Sequence, residues 1–287
     1  MLQKNFSEKI IEKVIFTSAL TAILAVFLII LFVFQKGLPA IQEVGLTNFL
    51  LGKDWLPSSN VFGIFPMIIG SIYVTLGALI FSIPLAVLCA LFLAEFAPTK
   101  IGRIVRSGIE LLAGIPSVVY GFFGMIVIVP LISRVFGGFG YSSLAGSVIL
   151  AIMILPTIIS VAEDAINAVP PAYKEGSLAL GATHWQTITK VILPAASSGI
   201  LAGVVLGMGR ALGETMAVIM VIGNAAKLPG SFLEPVRTLT ANIAMEMAYS
   251  SGLHREALFA TGVVLLLMVM SLNITLTLIM KRRVLAR

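Results

Sequence analysis

An arginine and a glutamate stand four residues apart, Arg210 and Glu214 in "GRALGETMAV", inside a run from Val191 to Ala226 that otherwise reads as apolar helix. A guanidinium is planar, stays protonated and presents several donors in a fixed fork, which suits it to phosphate-like oxyanions. At the centre of a membrane-spanning helix it costs about 2.5–3.5 kcal/mol on insertion scales, and a carboxylate there is also expensive. An exposed pair at this spacing returns only about 0.2–0.5 kcal/mol, and Arg before Glu is the poorer order. Two uses would offset the cost. The pair could be a buried bracket between helices, or Arg210 could line the path of an anion while Glu214 orients it and tempers its charge.

Helical projection at about 100° per residue puts Gly203, Gly207, Arg210, Glu214, Ala217 and Val221 within about 40° of one line. Leu201, Val205, Met208, Leu212 and Ile219 fall on the opposite side, suited to lipid. With a span starting near Ala195, Arg210 lies about 22 Å along a helix about 42 Å long, close to its middle. The expectation is one charged, glycine-lined stripe facing the bundle interior or a water-filled cavity. Ser117, after Pro116 in "GIPSVVYG", is a further candidate for that cavity; a plain kink is the alternative.

A second constellation lies between two proline sites. After Pro170-Pro171, residues 173–180 read as a short helix that Gly181 ends in a left-handed conformation, and 184–192 read as a second helix along the membrane surface before Pro194 opens the next span. A helix, a glycine and a helix projecting from a membrane domain suit docking of a soluble partner. An ordinary amphipathic loop is the bland alternative.

The elements that must hold these residues follow from composition. Of 287 residues 59% are hydrophobic and 11% charged, with a mean hydropathy of +1.07, which excludes an ordinary soluble domain. Charge-free stretches of spanning length recur at Val14–Phe34, Trp55–Ala94, Leu111–Ser133, Val135–Ala162 and Ala257–Met280, and the run around Arg210 makes six. The second is too long for one helix and is expected to span from about Met67. The first is followed by no small-x-small cleavage site and reads as a retained span.

Both termini in the cytoplasm put twelve Lys and Arg residues inside, among them Lys4, Lys100, Arg103, Arg106, Lys174 and Arg287, against six outside, with Arg210 the nineteenth. The net charge of +6 therefore reports topology, not nucleic acid, and the tail "KRRVLAR" reads as an inside anchor. The lone Cys89 excludes a disulfide framework within the chain and reads as a small apolar filler. His184 and His254 fall on opposite sides and share no metal. Glu163 and Asp164 read as solvated charges ending the fourth span, Glu95 and Glu110 as interfacial, and Trp55 as a membrane-surface anchor. No catalytic motif, phosphate-binding loop or cofactor motif is present.

The string "EGSLALGATHWQTITKVILP" at 175–194 resembles the cytoplasmic loop of ABC-importer permeases, with Glu175 and Gly181 six apart and Val191-Ile192-Leu193-Pro194 closing it. Gly176 and Ser177 stand where that pattern has two alanines. "GIPSVVYGFFG" at 114–124, "GRALGETMAVIMVIGN" at 209–224 and "DWLP" with "FGIFPMIIGS" at 54–71 narrow the resemblance to permeases of phosphate-specific importers, of the PstC type.

That resemblance implies an all-α, six-span type I ABC importer permease fold with cytoplasmic termini. It forms one domain over 1–287, with a core at about 67–280 and a coupling loop at about 170–193. It also implies a second, similar permease as heterodimer partner, two ATPase subunits gripping Glu175, Ala179, Leu180 and Gly181, and an extracytoplasmic phosphate-binding protein, all in a bacterial or archaeal cytoplasmic membrane. Arg210, Glu214 and Ser117 would line the substrate path, with no cofactor, metal or nucleic acid. A permease for sulfate or molybdate, or a phosphate-sensing scaffold, are the alternatives.

Overall fold

The computed structural model describes residues 6–285; Lys4 and Arg287 of the charge count, and the last residues of the tail, lie outside them. Six helical stretches are long and apolar enough to cross a membrane: Ile11–Val44, Phe65–Phe96, Ser117–Phe136, Ser143–Asn167, His184–Gly213 and Gly252–Thr275. The first is α1 (Phe6–Val44). A short α2 (Leu46–Leu51) and a hairpin of β1 (Trp55–Leu56) and β2 (Val61–Phe62) then lead into α3 (Phe65–Leu91), which contains Pro84 and continues through a π-type turn to Phe96. The expected entry into the second span near Met67 is thus met within two residues.

Next come α4 (Thr99–Gly114), amphipathic and short of charge-free length, then α5 (Ser117–Phe123) and α6 (Val129–Phe136), joined by a π-type turn into the third span. The fourth is α7 (Ser143–Asn167), started by the Ser142 side chain, which accepts from the Ala145 N–H. After it follow α8 (Pro171–Ala179), α9 (His184–Thr187), α10 (Leu193–Gly213), α11 (Met216–Val221), α12 (Leu239–Glu246) and α13 (Gly252–Leu285).

The core is the packing of α3 and α10 on α7, whose Ile149, Ile154 and Ile158 have no accessible surface. Ser147 ties α7 to α3 by donating to the Val74 carbonyl at 3.1 Å. Against α10, α7 forms a ladder: a Cβ at Gly199 would meet Ala165 Cβ at 2.4 Å, at Gly203 Val161 Cβ at 3.1 Å, and at Gly207 Ile158 Cγ1 at 2.8 Å. These glycines let two backbones approach closely. Gly203 and Gly207 of the projected stripe thus face the bundle interior, the first of its two expected settings, whereas Met208 and Leu212, expected on lipid, are buried in the same core. Gly199→Val sets a branched side chain against the rigid Ala165 methyl, so we expect a loss of about 1–3 kcal/mol, read as a lower melting temperature of the detergent-purified protein.

The fifth span differs from its expected layout at both ends. Residues 184–192 form no separate surface helix. They run through a wide π-type turn, Ile188–Ile192, straight into α10. Pro194 has no N–H for the carbonyl four residues back, and such widened turns accommodate the loss. At the far end α10 stops at Gly213. Glu214 is extended (ψ 134°), and α11 begins only at Met216.

Candidate functional site

This break corrects the reading of Arg210 and Glu214 as neighbours on one helix face. Glu214 lies past the last helical turn. Its Oε1 accepts from the Ala217 N–H at 3.2 Å, so the carboxylate caps α11, and its carbonyl accepts from Thr240 Oγ1 of α12 at 3.0 Å. Irregular backbone inside a span is tolerated where protein groups satisfy it, and these two bonds do so. Arg210 and Glu214 form no ion pair among the described residues.

Extending the α7–α10 ladder by one turn puts Arg210 level with about residue 154, the middle of α7. Arg210 is nevertheless exposed, on a face with Leu206 (56% accessible) and Gly213. Its side chain makes no hydrogen bond or ion pair among the described residues, and its charge reaches the Tyr120 hydroxyl of α5. Tyr120 is buried and donates to the Leu112 carbonyl at 2.7 Å, which also accepts from the Ile115 N–H where α4 ends and extended Ile115 and Pro116 intervene. Ser117, half-buried at the first turn of α5, makes no side-chain hydrogen bond among the described residues. Tyr120, one turn on, is the residue of this segment that lies within electrostatic reach of Arg210. Its signal was present in "SVVYG" as the only polar ring of that helix.

The first helix of the loop between the fourth and fifth spans, and its end at Gly181, form as expected. Gly181 adopts φ +84°, and the Gly181 and Ala182 N–H groups donate to the Leu178 and Ser177 carbonyls, a left-handed helix end. Thr183 and Gln186 then exchange bonds in a capping box that starts α9. Glu175, Ala179 and Gly181 are exposed, and Leu180 at the apex is 91% accessible. Gly181→Val strains a left-handed position by about 1–2 kcal/mol, so we expect weaker co-purification of whatever subunit grips this loop, measured by pull-down.

Charges at the span ends are more buried than expected. Glu163 is 8% accessible and pairs with Arg106 of α4 at 2.6 Å, while Asp164 borders the cleft of about 330 Å³ beside them with Glu110 and Asn167. Glu95 is also paired, with Lys174 of α8. On the opposite side Trp55 is a buried hub residue and no surface anchor. Its indole N–H donates to Glu246 Oε2 at 2.8 Å, His254 Nε2 meets the same oxygen at 2.8 Å, and Arg237 pairs with Oε1 at 2.7 Å.

Several known proteins resemble this chain. Over 257 residues it is 43% identical to "Probable ABC transporter permease protein YqgH" of Bacillus subtilis (strain 168), covering 87% of this chain and 83% of that one. Over 255 residues it is 38% identical to "Phosphate transport system permease protein PstC" of Pasteurella multocida (strain Pm70), covering 82% and 80%. Among solved structures, a bacterial alginate ABC transporter aligns with TM-score 0.65 at 18% identity over 96% of this chain and 97% of its own. The MetNI methionine ABC transporter aligns with TM-score 0.59 at 19% identity over 75% and 93%. These two share the fold, that of a type I ABC importer permease. The family model for "Binding-protein-dependent transport system inner membrane component" matches residues 82–284, and the chain belongs to that family, as a membrane-spanning permease subunit and not the ATPase.

Proposed function

We propose that this chain passes inorganic phosphate through an ATP-driven importer, as one half of a permease pair whose other half is a second, similar subunit. The observation that carries this reading is the unpaired Arg210 guanidinium, level with the middle of α7 and open on the surface of the chain. A bare charge at that depth is too costly to face lipid, so this surface meets the partner permease across a hydrated path. A single forked cation there binds an oxyanion weakly enough to release it. The phosphate-transport relatives support phosphate as the anion. Glu214, holding the break open beside it, and half-buried Ser117 border the same path.

In this reading the side carrying the termini is the cytoplasmic face of a bacterial or archaeal inner membrane. Two ATPase subunits dock on the permease pair, one at this chain's loop around Glu175, Ala179, Leu180 and Gly181. An extracytoplasmic binding protein delivers phosphate to the opposite face, and membrane lipid surrounds the rest. Closure of the ATPases rocks the spans between outward- and inward-open states. Uptake into vesicles with phosphate, sulfate and molybdate as competitors tests the substrate: phosphate should compete best, and competition by sulfate alone would overturn it.

A further inference from the structure

We infer that Glu95 is the joint through which the cytoplasmic loop moves the second span, a positioning role that rests on the importer reading above. Two residues of the loop, from two helices, converge on one carboxylate oxygen of the second span. Glu95 Oε2 lies 2.5 Å from Lys174 Nζ of α8 and 3.5 Å from His184 Nε2, the first residue of α9. The His184 ring stands edge-on to Phe96, the next residue of the second span, with centroids 5.3 Å apart. The Glu95 side chain is only 9% accessible, whereas Lys174 and His184 are 37% and 43% accessible. The carboxylate is therefore the fixed point, and the loop grips it at both of its shoulders.

The loop is itself stiff. Ser177 and Thr187 share a hydrogen bond at 3.0 Å across α8 and α9, the helix end at Gly181 is closed by two backbone bonds, and the capping box locks the start of α9. A force applied at exposed Leu180 is thus carried as a rigid body, with little lost to bending within the loop. Among the described residues, Lys174–Glu95 is the only side-chain bond from α8 to a span other than the fifth. The second span then passes the displacement on, because α3 packs along α7 and is bonded to it through Ser147 and Val74. Covalent continuity alone would move only the fourth and fifth spans; the Glu95 joint recruits the second.

The test is phosphate moved per ATP hydrolysed by the complete complex, permease pair with its ATPases and binding protein, in proteoliposomes. Glu95→Gln keeps the shape and removes the charge. We expect ATP hydrolysis and subunit co-purification within about twofold of wild type and the phosphate-to-ATP ratio reduced at least fivefold. Lys174→Gln should act in the same direction. The reversed pair Glu95→Lys with Lys174→Glu should recover part of the ratio, which a purely structural role for either residue would not produce. An unchanged ratio in both single variants would overturn the joint, as would loss of the ATPases from the Glu95→Gln complex. If the wild-type complex instead moves sulfate or molybdate, phosphate fails as the substrate, and the same ratio measured with that anion still decides the joint.

Discussion

Glu246→Ala is expected to unfold the side of the protein that carries the β1–β2 hairpin and α12, with a loss of about 3–5 kcal/mol, the range for removing one partner of a buried ion pair. Glu246 is 6% accessible and accepts from three directions: the Trp55 indole of the hairpin, His254 at the start of α13, and Arg237 of the loop before α12. Arg237 in turn donates to Asn242 Oδ1 and to the Asn224 carbonyl. Deleting the carboxylate leaves a guanidinium that is only 16% accessible without its charged partner, and an indole N–H without its acceptor. Glu246→Gln keeps an acceptor and should fall between alanine and wild type. Thermal unfolding in detergent measures the loss, and Trp55 emission, recorded in a Trp185→Phe background, reports the local site. A melting temperature for Glu246→Ala within a degree of wild type would show that the network holds nothing together.

Arg210→Gln is expected to remove uptake while the complex still assembles and hydrolyses ATP. A hydrogen bond to a charged group contributes about 1.5–3 kcal/mol, which corresponds to roughly 10- to 150-fold in rate. Because the guanidinium has no ion-pair partner among the described residues, its removal strands no buried carboxylate and should leave stability nearly unchanged. That separates a pathway residue from a bracket, since a bracket would lose stability and keep transport in the surviving fraction. Arg210→Lys keeps charge but not the fork and should transport between the two. Uptake at the wild-type rate by Arg210→Gln would take Arg210 out of the mechanism.

What the sequence could and could not disclose divides along the range of the interactions. Six spans were legible because hydrophobic length is a local property, and the turn at Gly181 was legible because a left-handed helix end has a residue signature. Arg210 as a costly charge inside the fifth span was legible for the same reason, though it stands in the last turn of α10 and not at the middle of the helix as expected. The end of α10 was not. "ALGETMAV" contains no proline and keeps a helical period, and the helix stops because the Glu214 carboxylate caps the next segment and Thr240 takes its carbonyl. Glu163 read as solvated because its partner Arg106 lies 57 residues away, and Trp55 read as an anchor because Glu246 lies 191 residues away. The glycines at 199, 203 and 207 were seen as a stripe, but which helix fills it is decided only by packing on α7.

The bond from Thr240 to Glu214 also dictates an order of events during biogenesis. When the fifth span leaves the ribosome and enters the bilayer, its far third cannot take its final shape, because the hydroxyl that seals the break lies 26 residues downstream. Until α12 has been made and brought against α3, where the Leu239 N–H donates to Ser71 Oγ at 3.0 Å, the segment at 214–221 remains unfinished. The exposed surface around Arg210 is therefore completed late in synthesis, after α12 has been made.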